Sequence, residues 1–155
     1  MEYAVIVDGA DPLDPARVGE VERLDVPCEV TAITVLRRRF ASALMDDAPA
    51  GLSPGTARFV HDAVMVLSEL AMNALIHGTP DEDGFIQVAW WRTSDAAVTV
   101  QVRDQGGQSV PHLEQAEEDA AGGRGLALVA ALSREWGVVT DIRGGTVVSA
   151  TVAAS

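Results

Sequence analysis

From Glu29 to Met45 the apolar residues Ala32, Ile33, Leu36, Phe40 and Leu44 recur at three- and four-residue spacing, with Arg37 to Arg39 lying largely outside the stripe. That spacing predicts an amphipathic helix. A second helix is predicted from about Thr56 to His77, where Val60, Ala63, Val64, Leu67, Leu70, Ala71 and Ala74 form the apolar face and Gly78-Thr79-Pro80 ends the run. The period then changes to two. Phe85 to Arg92 and Val98 to Asp104 alternate about a Thr93-Ser94-Asp95 turn, which predicts a hairpin, and Val138 to Ile142 with Thr146 to Val152 predicts another about Gly144-Gly145. Between the hairpins lie a polar stretch, Gln105 to Ala121, and a third predicted helix from about Arg124 to Trp136. Residues 1–29 mix short apolar runs with acidic and Pro-containing turns and read as one or two strands.

Strands joined by tight turns and interrupted by helices predict an α+β, two-layer sandwich: a mixed, mostly antiparallel sheet with helices on one face. With 155 residues and 48% hydrophobic composition, the chain is long and apolar enough for one continuous core. Residues 1–29 are read as a strand region of that same domain.

Charge narrows the partners. There are 11 basic and 23 acidic residues, a net charge of −12, which works against the phosphate neutralisation that nucleic-acid binding requires. Cys28 is the only cysteine, so an intrachain disulfide and a cysteine-clustered metal site are both excluded. The opening Met1-Glu2-Tyr3 lacks the positive start of a signal peptide, and no uncharged apolar run approaches membrane-spanning length, so a cytoplasmic, membrane-free protein is expected.

Three stretches carry chemistry. On the second helix Glu69, Asn73 and His77 stand at i, i+4 and i+8, beside the apolar stripe and on one face. Such a stripe is either a solvated helix face or a set of groups aimed at a ligand. An Asn oxygen is a suitable hard donor for Mg²⁺, which keeps several waters and shares its other positions with phosphates, and a Glu one turn away can deprotonate a water or hydroxyl. Asp104 ends a strand before Gly106-Gly107, as an ordinary Asp-Gly turn or as an acceptor for an exocyclic amine on a flat ligand. Gly122-Gly123-Arg124-Gly125-Leu126 opens the third helix, as a hinge or as a phosphate-facing helix N-terminus. It is not a Walker A loop, since no Gly-Lys-Ser/Thr follows, and the dinucleotide fingerprint fails at Leu128.

Taken in order, these stretches resemble the boxes of the Bergerat (GHKL) ATPases. Glu69-Leu-Ala-Met-Asn73-Ala-Leu-Ile-His77 is similar to the N box, Asp104-Gln-Gly106-Gly107 to the first glycine box, and Gly122-Gly-Arg-Gly-Leu-Ala-Leu-Val129 to the second. Within that superfamily the chain looks like the stand-alone anti-sigma regulatory factors, serine protein kinases that phosphorylate an anti-sigma antagonist. The resemblance implies that residues 30–155 form a GHKL-type ATP-binding domain with ATP and Mg²⁺ as cofactors. It implies Asn73 as metal ligand and Glu69 as base on the substrate serine. Asp104, Gly106 and Thr146 would contact adenine, His77 would offer a counter-charge, and Gly123, Arg124, Gly125 and Leu126 would border the phosphates. Gln105 to Ala121 would be the ATP lid. The implied partners are a sigma factor and its anti-sigma antagonist, and such factors are often homodimers. Two departures stand out: Gln108 replaces a glycine common in the first glycine box, and the lid carries Glu114, Glu117, Glu118 and Asp119 close to where a triphosphate would lie. They point to modest ATP affinity, and to a non-catalytic nucleotide-binding interaction module as the alternative function.

Overall fold

In the computed structural model, described for residues 3–7, 17–46, 53–93, 96–105, 120–140 and 145–154, the chain folds as helices against a single sheet. The elements are β1 (Tyr3–Val7), β2 (Arg17–Pro27), α1 (Val30–Asp46), α2 (Pro54–His77), β3 (Phe85–Thr93), β4 (Ala97–Asp104), α3 (Ala120–Leu132), β5 (Glu135–Thr140) and β6 (Thr146–Ala153). The sheet has six strands in the order β1-β5-β6-β4-β3-β2. Its pairings are antiparallel except at one edge, where β1 runs parallel to β5. This is the mixed, mostly antiparallel α+β sandwich that the alternation of periods predicts.

The two long helices form where the stripes predict them. Along α1, Ile33, Leu36, Phe40 and Leu44 are buried, while Arg37, Arg38 and Arg39 face solvent. Phe40 reaches the sheet edge-on to Trp90, with ring centroids 5.0 Å apart, a favoured aromatic geometry that ties α1 to β3. α2 lies between α1 and α3 and crosses β4 and β6. It is long and apolar enough to cross a membrane by length and composition, but half of that stretch is buried within this fold, so α2 is the core helix of the sandwich. Its apolar stripe meets Val98, Val100, Val102, Val148, Ala150 and Val152, the alternate residues of β4 and β6. On the other sheet face Trp91, Thr99 and Thr151 are also buried, and the two threonine hydroxyls bond at 2.8 Å.

α2 begins with Ser53 as N-cap and Pro54 within the first turn. The Ser53 hydroxyl accepts from the Thr56 amide at 3.1 Å and so satisfies one of the free donors of the helix start. Ser53→Ala is expected to cost about 1 kcal/mol of stability without altering ligand binding, measurable by denaturant unfolding.

α3 departs from expectation at both ends. It starts at Ala120, so the glycine-rich stretch lies inside its first turns, and it stops at Leu132 instead of Trp136. The apolar spacing through Val129, Leu132 and Trp136 fits a helix, but pairing with β6 wins. The Ser133 amide closes the last helical bond on Val129, and the Arg134 amide donates to Thr151 on β6 at 2.7 Å. Trp136 is thereby a buried strand residue opposite Ala150. Thr93 ends β3, whereas Ser94 and Asp95 of the expected turn, Gly144, Gly106, Gly107, His112 and most of the expected lid, including Gln108 and its acidic residues, lie outside the described residues.

Candidate functional site

The expected site residues come from three elements. α2 supplies Glu69, Asn73 and His77 along one face, the first two half-buried and the third exposed at the helix end. β4 and β6 supply a directly opposed pair, since Asp104 is in register with Thr146. Cross-strand partners point to the same face, so this pair continues the row Val98–Val152, Val100–Ala150 and Val102–Val148 that packs under the helices. The polar pair therefore ends an otherwise apolar row, at the end of the two central strands that lies nearest the C-terminus of α2, and not at the sheet edge that the sequence suggests for Asp104. Asp104 and Thr146 are 8% and 5% exposed, which places a carboxylate and a hydroxyl deep in the fold.

The third element is α3. Leu126 is buried against the cleft, and Gly125 lies over the polar stripe of α2. A Cβ at position 125 would come within 2.6 Å of Glu69 Oε2 and 3.7 Å of Asn73 Oδ1. Glycine thus lets the first turns of α3 lie directly on the two groups singled out as metal ligand and base. Gly123 and Arg124 are in the helical backbone of the same turns.

Together these elements line one cleft: Leu70, Asn73, Ala74, His77 and Gly78 from α2 and its end, Val102 and Asp104 from β4, Leu126 from α3, and Thr146 and Val148 from β6. The enclosed space is about 20 Å³, enough for roughly one water. Of the residues expected from sequence, Asn73, His77, Asp104, Leu126 and Thr146 line it, with Gly125 and Glu69 stacked at its rim. Leu70 and Ala74 were expected only as part of the apolar helix face, and Val102 and Val148 only as residues of predicted strands. Their second role follows from position, since each is one turn or two strand residues from a polar member of the site.

The cleft contains an unsatisfied group. Asn73 Nδ2 is buried and makes no hydrogen bond among the described residues. A buried amide without a partner costs on the order of 1–3 kcal/mol, and such a group in a cleft marks a place for a polar ligand. Turning the amide over presents the oxygen to the same space, so Asn73 can offer either a donor or a metal ligand.

Gly78, read from sequence as a helix stop, is a cleft residue in the structure. Its amide closes the last bond of α2 on Ala74 at 3.0 Å, and the next residue, Thr79, accepts from the Gln105 amide at 2.8 Å. The end of α2 and the end of β4 are thereby joined through the backbone beside Asp104. From there the chain turns into β3 through Asp81, whose carboxylate accepts from the amides of Asp83 and Phe85, both at 2.9 Å. Gly84 completes the turn at φ +87°, where a side chain would be strained.

The same architecture occurs in solved structures. The RsbU and RsbW domains of Rv1364c from Mycobacterium tuberculosis align over 87% of this chain with a TM-score of 0.61 and 23% identity, and the chain spans 32% of that protein. The SiaB-SiaC complex from Pseudomonas aeruginosa aligns over 84% of this chain and 88% of the matched one, with a TM-score of 0.61 and 15% identity. The histidine kinase domain of a blue-light activated histidine kinase from Erythrobacter litoralis aligns over 79% and 61% of the two chains, with a TM-score of 0.51 and 24% identity. Comparison with curated proteins finds no match. At these identities the shared property is the fold. Residues 26–152, which take in all three helices and both strands lining the cleft, match the model of the histidine kinase-like ATPase domain, and the chain belongs to that family of ATP-binding domains.

Proposed function

We propose that the cleft binds Mg²⁺-ATP and that the chain is an anti-sigma-type serine protein kinase, transferring the γ-phosphate to a serine of a protein partner. The observation that carries this reading is the convergence, over one small cleft, of a buried unsatisfied Asn73 amide, the Asp104–Thr146 pair and a Glu69 seated against Gly125. The residues present fit the ligand. Asn73 is the oxygen donor for the metal, which supplies charge neutralisation at the phosphates. Asp104 and Thr146 offer a buried acceptor and a hydroxyl to the adenine edge, while Leu70, Val102, Leu126 and Val148 provide apolar walls for its faces.

Glu69 receives the serine proton as the serine oxygen bonds to the γ-phosphorus and the bond to ADP breaks. Positioning and charge then supply most of the remaining barrier reduction. Arg124 is the cation assigned to the phosphate side, with the His77 imidazole as a polar neighbour, and the backbone of Gly123, Gly125 and Leu126 is assigned to border it. Gly106 is assigned to the adenine edge beside Asp104.

The partners assigned are a sigma factor and an anti-sigma antagonist, in the cytoplasm, with the kinase as a homodimer. The SiaB neighbour was solved in complex with SiaC, in keeping with a protein partner. A second reading, nucleotide binding without transfer, is favoured by Gln108 in the place of a glycine.

Calorimetry with Mg²⁺-ATP tests the site. Binding is expected in the wild type and is expected to weaken about 10- to 100-fold in Asp104→Asn, the effect of disturbing a hydrogen bond to a charged group. Absence of wild-type binding at millimolar ATP would remove the proposal and leave a protein-interaction scaffold.

A further inference from the structure

We propose that Gly78 is a positioning residue that sets the adenine selectivity of the cleft by holding the Asp104 carboxylate in place; this rests on the reading of Asp104 as the acceptor for the adenine amine. The backbone at position 78 does not itself demand glycine. Its φ of −88° and ψ of −177° are extended values that any L-residue adopts. Space demands it instead. A Cβ there would come within 2.6 Å of both Asp104 Cγ and the Ala74 carbonyl oxygen, and closer still to Asp104 Oδ2.

The carboxylate therefore occupies the volume that a side chain at position 78 would fill. Two further contacts keep the slot at fixed width. The Gly78 amide is bonded to Ala74 at the end of α2, and the Gln105 amide, next to Asp104, is bonded to Thr79, next to Gly78. Asp104 has few torsions, and it lines the cleft beside Thr146, its partner in register across β4 and β6. An acceptor held in one position discriminates by geometry, because the amine must meet it at hydrogen-bond distance and a displaced carboxylate cannot be reached.

The test compares the affinity for ATP with that for purine riboside triphosphate, which lacks the exocyclic amine, both with Mg²⁺ and by calorimetry. The wild type is expected to prefer ATP by about 10- to 100-fold. In Gly78→Ala the added methyl displaces the carboxylate, so the affinity for ATP is expected to fall further than that for the amine-free analogue and the preference to fall to near one. A merely structural role would weaken both nucleotides together and leave the ratio intact, and that result overturns the proposal.

Because the methyl also meets the Ala74 carbonyl, Asp104→Glu provides a second arm. It keeps the charge and acceptor but adds a methylene that the slot cannot hold, so the preference is again expected to collapse. A glutamate that preserved the wild-type ratio would overturn the proposal even if Gly78→Ala failed to fold. Wild-type protein that binds both nucleotides equally would instead refute the assignment of Asp104 to the adenine amine, which separates the two failures.

Discussion

Asn73→Ala is expected to abolish Mg²⁺-dependent ATP binding, with a loss on the order of 100-fold or more, while leaving the fold as stable as wild type or slightly more stable. The two halves of this expectation come from the same atom. Asn73 is the α2 residue that faces the cleft between Glu69 and His77, and its amide nitrogen is buried with no hydrogen bond. In the protein alone that group is a cost, and truncation to Ala removes an unsatisfied amide at a helix position where Ala is the most favourable residue. With the nucleotide bound, the same truncation deletes the only protein oxygen assigned to the metal. Alterations merely to the groups that orient metal ligands already cost 10- to 100-fold in affinity, so loss of the ligand itself costs more. Calorimetry with and without Mg²⁺ reads the first half, and thermal unfolding reads the second. Asn73→Asp, which retains an oxygen donor, is expected to keep metal-dependent binding. An Asn73→Ala protein that bound Mg²⁺-ATP like wild type would take the metal away from this residue.

The parts of the fold that were legible in the sequence are those written in local spacing. The stripe Ile33, Leu36, Phe40, Leu44 and the longer one on α2 repeat often enough that no other conformation buries them together. Residues of β4 and β6 alternate between the two sheet faces as the sequence suggested, but the register that opposes Asp104 to Thr146 joins strands of two different hairpins and was not written in local spacing. The end of α3 was not legible. Val129, Leu132 and Trp136 suit a helix as well as they suit a helix followed by a strand, and the decision is made by the Arg134 amide bonding to Thr151, a residue far along the chain. The parallel pairing of β1 with β5 is equally non-local, since no turn residue announces a strand partner more than 100 positions away.

The candidate site divides along the same line. Asn73, His77 and Asp104 were identifiable as polar residues at set places beside apolar patterns, Leu126 and Thr146 only through the resemblance to a known family, and the structure brings those five around one cleft. Gly78 was not, because its significance lies in what occupies the place of its missing side chain. A sequence shows that a glycine follows a helix, but not that a carboxylate from a strand needs the same volume. Gly125 is the intermediate case: the glycine-rich motif singled it out, whereas its contact with Glu69 depends on how α3 crosses α2.

That contact bears on the second large effect. Glu69→Gln is expected to leave ATP binding within a few-fold of wild type and to lower release or transfer of the γ-phosphate by about 10²- to 10⁴-fold, the usual contribution of a positioned general base. Gln has the size of Glu and fits the same space against Gly125, so neither the packing of α3 on α2 nor the orientation of Asn73 one turn away need change. What it lacks is the ability to accept a proton, which separates catalysis from binding in a way that truncation to Ala would not. The readout is γ-phosphate leaving ATP, either to water or to a serine of a protein partner, alongside calorimetry of the same preparation. Loss of binding as well as turnover would make Glu69 part of the nucleotide's seat, and undiminished turnover would make it a bystander. Wild-type protein that binds ATP but turns none over, even with partner proteins present, would favour the non-catalytic module. Glu69 would then be explained by its place under Gly125, as part of the packing of α3 on α2.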